Sequence, residues 1–256
     1  MIGRNPWIVN PRPLEHPKVR LFCFPHAGGG ASMYHAWGAG LDDIEICAVQ
    51  LPGREGRLLE KPFDSLSRLL DPLTTALSSF LDQPFVIFGH SLGAILGFEV
   101  IRELRRRGAP PPSKLIVSGR RAPGALVIPP QLRHLSDERF VEALCREYGG
   151  IPKALREDPE LLKVFLPALR ADFTLLETYV YQKENPLDCP ISAVGGTDDR
   201  HSTLESLESW RSLTTGVFTT QQLPGGHFYL HADRPSFMKW LILEISSRGS
   251  AGKRGF

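Results

Sequence analysis

The chain has 256 residues, a formal net charge of +2 and 42% hydrophobic residues. A chain of this length can bury a sizeable core, and we expect one domain over residues 1–256. The small net charge gives no sign of binding to nucleic acid or to a membrane surface. The longest apolar runs are far below the ~18 residues of a membrane span, and the opening segment lacks the apolar run of a signal peptide. We therefore expect a cytoplasmic protein.

The four cysteines are far apart in the sequence and have no C-x-x-C spacing. This pattern is typical of small core or surface residues in a reducing compartment, not of a zinc site or a disulfide framework. The sequence therefore predicts no metal site.

Six runs rich in β-branched and aromatic residues predict strands, and helical spacing predicts helices between several of them. The strand segments lie within 19–30, 44–55, 85–91, 114–119, 191–199 and 218–227, and the helices lie near 64–81, 92–107 and 235–247. The last strand is the most polar, which places it near the edge of the sheet. Strands that alternate with helices predict an α/β fold with a mostly parallel, doubly wound sheet.

About seventy residues without a strand separate the fourth strand from the fifth. Helical spacing occurs twice there, in 137–150 and in 158–182. Ligands bind at the carboxyl ends of parallel strands, so we predict that an insertion at about 121–185 forms a mobile helical lid over the site. The alternative is an additional helical layer that serves only stability.

A candidate nucleophile lies between the third strand and the helix that follows it. Gly89-His90-Ser91-Leu92-Gly93 fits the G-x-S-x-G pattern of a serine on a sharp strand-to-helix turn. Such a turn brings the backbone and the helix so close that side chains do not fit two residues before and after the serine. The helix N-terminus also favours negative charge that develops near the serine. We therefore predict that Ser91 is the nucleophile of an acyl-transfer site.

Attack on a carbonyl also requires hydrogen-bond donors for the oxyanion. The N–H of Leu92 is one candidate, and the N–H of Ala27, in the loop "FPHAGGG", is the other. The three glycines of that loop could instead form a flexible turn or hold a phosphate group. The sequence has neither G-x-x-x-x-G-K-[ST] nor G-x-G-x-x-G, so nucleotide binding is not favoured and no cofactor is predicted.

In this fold the acid and then the histidine follow the serine along the chain. His227 comes directly after the last strand, in "LPGGHFYLH", and is a better candidate base than His231. Asp198 and Asp199 both follow the fifth strand, each three residues after a glycine. Spacing alone does not distinguish these two acids.

Together these segments resemble the type II thioesterases that accompany polyketide and nonribosomal peptide synthetases, within the α/β-hydrolase superfamily. The resemblance extends from about residue 17 to about residue 240, and its motifs are "LFCFPHAGGGAS", "VQLPGREGR", "VIFGHSLGA", "SGRRAP", "LRADFTLLETY", "GGTDDRHS" and "LPGGHFYL". The family's spacing from its acid, through a tryptophan, to P-G-G-H fits Asp199, Trp210 and His227. The resemblance therefore favours Asp199. Where the family has proline after the acid, this chain has Arg200.

The resemblance implies hydrolysis of acyl or peptidyl thioesters held on the phosphopantetheine arm of a carrier protein, to remove stalled or aberrant acyl groups. Carrier proteins of such systems are acidic around the arm, so Arg120 and Arg121 are candidate substrate- or carrier-binding residues. We expect a monomer. A general carboxylesterase, an acyltransferase and a non-catalytic scaffold with the same fold are the alternatives at this stage.

Overall fold

The computed structural model describes residues 5–124, 131–149, 151 and 156–247. Within these ranges, seven strands form one sheet in the order β1-β3-β2-β4-β5-β6-β7. The strands are β1 Ile8–Val9, β2 Val19–Phe24, β3 Ile44–Val49, β4 Phe85–His90, β5 Lys114–Ser118, β6 Ile191–Gly196 and β7 Phe218–Leu223. Only the pairing of β1 with β3 is antiparallel. The prediction of a mostly parallel α/β sheet is confirmed, and the more polar β7 lies at the edge.

Seven α-helices accompany the sheet in the described ranges. They are α1 Leu66–Ser78, α2 Leu92–Arg106, α3 Asp137–Tyr148, α4 Pro159–Thr178, α5 Leu204–Glu208, α6 Tyr229–Ala232 and α7 Arg234–Ser246. The helices predicted near 64–81, 92–107 and 235–247 are α1, α2 and α7. None of the helices in these ranges is long and apolar enough to cross a membrane.

The core lies on both faces of the sheet, because successive strand residues point to opposite sides. In β4, Phe85 and Ile87 belong to the apolar cluster that includes α1 and α2. Val86 and Phe88 belong to the cluster that includes Phe237 of α7. This arrangement explains why β4 is apolar at consecutive positions. The packing of β4 on both faces also holds the end of this strand, which Ser91 directly follows, in a defined position.

The segment between β5 and β6 contributes α3 and α4, which we call the insertion helices. Their starts are encoded locally: the Ser136 side chain caps α3, and the Asp158 side chain caps α4. A third apolar cluster joins the two helices and packs against Ala27. The insertion helices therefore cover the loop that follows β2.

Some of the predicted insertion, at 125–130, 150 and 152–155, lies outside the described residues. The mobility of the insertion as a lid stays a prediction.

Candidate active site

Ser91 occupies the turn between β4 and α2 in a backbone conformation that is rare for a residue with a side chain. Its φ is 55° and its ψ is −111°. Its N–H donates to the carbonyl of Ser118, 2.8 Å away, which fixes the turn against β5. The two neighbouring glycines are required by close approach: a Cβ at Gly89 would lie 2.1 Å from the carbonyl oxygen of Gly93, and one at Gly93 would lie 2.1 Å from that of Phe24. The sequence pattern thus corresponds to a tight turn that presents Ser91.

This close approach leads to a stability prediction. We expect Gly93→Ala to lower the free energy of unfolding by about 3 kcal/mol or more, because the new methyl group would meet backbone that cannot move aside. Gly56→Ala is the matched control, since a Cβ there meets nothing within 4 Å. Urea unfolding followed by tryptophan fluorescence measures both changes. Equal effects of the two substitutions would contradict the packing argument.

His227 and Asp199 meet next to this turn. His227 Nδ1 lies 2.7 Å from Asp199 Oδ2, and the side chains are 5% and 1% exposed. Asp198, in contrast, is exposed, and its side chain accepts a bond from Thr197. The turn geometry therefore distinguishes the two acids that spacing left open, and it brings Asp199 to His227.

The Asp199 carboxylate accepts two further hydrogen bonds from its own loop. Ser202 Oγ donates to Oδ2 at 2.6 Å, and the N–H of His201 donates to Oδ1 at 2.9 Å. Burial by itself would raise the pKa of Asp199, but the hydrogen bond and the electrostatic interaction with His227, together with these two donors, lower that pKa below the usual value. Asp199 is therefore held as a carboxylate that can orient the imidazole and stabilise its protonated form.

The two backbone amides predicted to form an oxyanion hole belong to Leu92 and Ala27. Leu92 is the first residue of α2, so its N–H has no acceptor within the helix. In the glycine loop, residues 26–30, the N–H of Gly28 bonds to Asp172 and that of Gly29 to the carbonyl of His26. Among the described residues, the N–H of Ala27 has no acceptor in hydrogen-bond geometry. The Ala27 amide is thus free to bind an oxyanion.

A small cavity connects these groups. Its volume is about 40 Å³, and it is lined by Ser91, His227 and Ala27 together with side chains of both insertion helices, namely Leu144, Tyr148, Leu169, Phe173 and Leu176. A larger cavity of about 610 Å³ lies beside it and is bounded by the glycine loop and α4. His26, Ala27 and Phe228 line both cavities. Ser91 and His227 therefore line a small cavity that adjoins a larger, mostly apolar chamber.

The family model described as "Thioesterase domain" matches residues 19–241 of the chain. The chain belongs to the thioesterase family. The gramicidin S biosynthesis protein GrsT of Aneurinibacillus migulanus is 37% identical over 242 residues, which cover 94% of each chain. The thioesterase PikA5 of Streptomyces venezuelae is 38% identical over 88% of this chain and 80% of its own.

Among solved structures, the type II thioesterase BorB from the borrelidin biosynthetic cluster is 35% identical and superposes with a TM-score of 0.82. The match covers 93% of this chain and 95% of BorB. The predicted resemblance to type II thioesterases, the α/β-hydrolase fold and the thioester hydrolase activity are confirmed by these relationships. The general carboxylesterase is not favoured.

His26 and His90 lie beside the site of this thioesterase, and neither forms a hydrogen bond or an ion pair with an acid among the described residues. His90 is fully buried and bonds to the hydroxyl of Ser118, which bonds in turn to Tyr229. Burial lowers the pKa of His90 well below the usual value and that of His26 to about 4. Both imidazoles are therefore neutral near pH 7. His231 is exposed and stacks on Phe228 beside the larger cavity.

The two candidate docking arginines differ in environment. Arg120 is half-buried, its carbonyl accepts a bond from Trp210, and burial lowers the pKa of its guanidinium. Arg121 is partly exposed. Neither lines the small or the large cavity described above. Their role in carrier binding stays a prediction.

The sequence analysis did not predict the contacts of two residues next to the site. Tyr148, at the end of α3, packs on the His227 ring at 5.3 Å between centroids and stacks on His201 at 4.5 Å. Arg200, which stands where the family has proline, donates to the carbonyls of the last turn of α3. Both residues join the loop of Asp199 to an insertion helix. The helical pattern gave no signal for Tyr148, because its contacts depend on how α3 docks.

Proposed function

We propose that this thioesterase hydrolyses acyl or peptidyl thioesters on the phosphopantetheine arm of carrier proteins, and so removes stalled or aberrant acyl groups. Ser91 is the nucleophile, His227 the general base and Asp199 the residue that orients the base. The observation that carries the proposal is the 2.7 Å bond between Asp199 and His227, at the cavity that Ser91 also lines. The names of the relatives, which belong to gramicidin S and borrelidin pathways, support this class of substrate.

Acylation begins when Ser91 Oγ attacks the thioester carbonyl carbon and His227 Nε2 takes the hydroxyl proton. The carbonyl oxygen becomes negative and is stabilised by the N–H groups of Ala27 and Leu92. When the C–S bond breaks, the proton on His227 passes to the sulfur, and the pantetheine thiol leaves. The product is an ester between the acyl group and Ser91. Asp199 stays ionised and stabilises the imidazolium.

Deacylation repeats these steps with water. His227 takes a proton from water as the oxygen attacks the Ser91 ester, and the same two N–H groups stabilise the second oxyanion. His227 then returns the proton to Ser91 Oγ, and the free acid leaves. The neutral His26 and His90 provide no second acid that would compete in these transfers.

The shape of the site also suits a carrier-bound substrate. The apolar side chains of the insertion helices line the space next to Ser91, which suits an acyl group. The partly exposed Arg121, with Arg120, can attract the acidic surface of a carrier protein. The arm would then deliver the thioester to Ser91 from outside.

A substrate panel with one acyl group tests the proposal. The group is offered on the phosphopantetheine of a carrier protein, as a free pantetheine thioester and as a p-nitrophenyl ester. We expect kcat/KM to fall by about tenfold or more from the carrier-bound substrate to the free pantetheine thioester, and again from that thioester to the p-nitrophenyl ester. Each change of substrate removes binding energy that is used in the transition state. We expect the free acid as product even with an added amine or alcohol acceptor.

Two results would count against the proposal. A preference for the oxygen ester would indicate a general carboxylesterase. An amide or ester as the main product would indicate an acyltransferase.

A further inference from the structure

A buried ion pair connects α4 to the body of the protein next to the glycine loop. Arg54, in the loop after β3, donates to both carboxylate oxygens of Asp172 in α4, from Nη1 at 2.6 Å and from Nη2 at 2.9 Å. The side chains are only 5% and 3% exposed. This two-bond geometry is the strongest that arginine and a carboxylate can form. The mechanism above uses neither residue.

Both members of the pair hold the backbone of the glycine loop. The N–H of Gly28 donates to Asp172 Oδ2 at 2.7 Å, and Arg54 Nη1 donates to the carbonyl of Gly29 at 3.1 Å. Helix α4 is also in close contact here, since a Cβ at Gly28 would lie 2.8 Å from Leu169 Cδ1. The pair therefore fixes the two residues that directly follow Ala27.

The loop after β3 also holds the residues that directly follow the glycine loop. The Gln50 side chain accepts from the N–H of Ala31 at 3.0 Å and donates to the carbonyl of Arg54 at 3.0 Å. Glu55 accepts from the hydroxyl of Ser32. With β2 on one side and these bonds on the other, the peptide that carries the Ala27 N–H has little freedom to turn.

We propose that Arg54 and Asp172 are positioning residues for the oxyanion hole, and that they make its geometry depend on where α4 lies. This inference rests on the proposed role of the Ala27 amide. A shift of α4 would withdraw the Asp172 carboxylate from the N–H of Gly28 and leave the Arg54 charge buried without its partner. The N–H of Ala27 would then no longer point at the developing oxyanion.

The pair also explains two sequence motifs that the catalytic groups leave unused. Arg54 comes from "VQLPGREGR" and Asp172 from "LRADFTLLETY". The two motifs meet only because α4 crosses above the loops that follow β2 and β3. Through this ion pair, the two motifs together hold the glycine loop in place.

Asp172→Asn tests the inference, because asparagine keeps the shape of the side chain but removes its charge. We expect kcat for the pantetheine thioester to fall by roughly tenfold to a hundredfold, since misplacing a donor costs somewhat less than removing it. We expect KM to change by less than about threefold, because the donor acts in the transition state. Asp172→Glu, which keeps the charge but moves the carboxylate, should reduce kcat in the same direction.

Glu99→Gln is the matched control. Glu99 pairs with Arg102 at 2.6 Å with similar burial and bonds to Tyr179 after α4, but it has no bond to the glycine loop. We expect its kcat to stay within about threefold of wild type. Circular dichroism and thermal unfolding measure the loss of stability in each variant, so that kcat is compared among folded proteins.

A fall of kcat in both Asp172 variants but not in Glu99→Gln supports the inference. Folded Asp172 variants with wild-type kcat, or an equal fall in Glu99→Gln, would overturn it and leave the proposed function intact. If wild-type turnover does not depend on Ser91, the proposed function fails, and this inference fails with it. Should Asp172→Asn not fold, Asp172→Glu decides by the same criteria.

Discussion

Ser91→Ala is expected to lower kcat for thioester hydrolysis by about 10⁴-fold or more, which leaves only the rate that the oxyanion hole and substrate binding supply. Alanine has no oxygen to attack the carbonyl, so no acyl-enzyme can form. The turn itself should persist, because the strain at φ 55° is similar for serine and alanine. Steady-state release of the free thiol measures the effect.

The half-buried Ser206 in α5 provides a control, since its hydroxyl donates to the carbonyl of Thr203, the N-cap of that helix, and does not line the cavity next to Ser91. Ser206→Ala should keep kcat within about twofold of wild type and should leave the unfolding free energy within about 0.5 kcal/mol. If Ser91→Ala were to retain turnover within tenfold of wild type, Ser91 would not be the nucleophile.

Asp199→Asn is expected to lower kcat by roughly 10³- to 10⁴-fold, whereas Asp198→Asn should change it by less than about threefold. The amide of asparagine would donate to His227 Nδ1, which places the imidazole proton on Nε2. His227 could then no longer accept the proton of Ser91. Asp198 is exposed and does not contact His227, so it is the matched control.

Pre-steady-state thiol release by the two aspartate variants locates the defect. We expect a slow first turnover in Asp199→Asn, because proton removal from Ser91 belongs to acylation. Equal kinetics of the two variants would show that Asp199 has no special role.

The tight turn at Ser91 could be predicted from the sequence because its constraint is local. Gly89 and Gly93 lie within two residues of Ser91, and the apolar strand and the helix on either side are visible as periodic patterns. The choice between Asp198 and Asp199 is also a local question, but its answer depends on a turn. The bond from Asp199 N–H to the carbonyl of Gly196 directs that side chain inward, and residue spacing does not report this.

The features that sequence reasoning missed depend on long-range docking. Arg54 and Asp172 are 118 positions apart, and each is a common residue in an ordinary loop or helix pattern.

Strand β1 was missed for another reason: it has only two residues, which are too few to show a period. Arg120 and Arg121 look alike as a basic pair, yet only the carbonyl of Arg120 is known from the structure to accept a bond from the buried Trp210, a long-range contact that the sequence does not show.

Mass spectrometry of the protein during turnover tests the central claim most directly. The wild type and Ser91→Ala are mixed with an acyl-pantetheine thioester, quenched with acid within the first turnovers, and digested. We predict that the wild type carries the mass of the acyl group on the peptide that contains Ser91, that water removes it as the free acid, and that Ser91→Ala carries none. An acyl group on another residue, or turnover by a protein that never carries it on Ser91, would contradict the account.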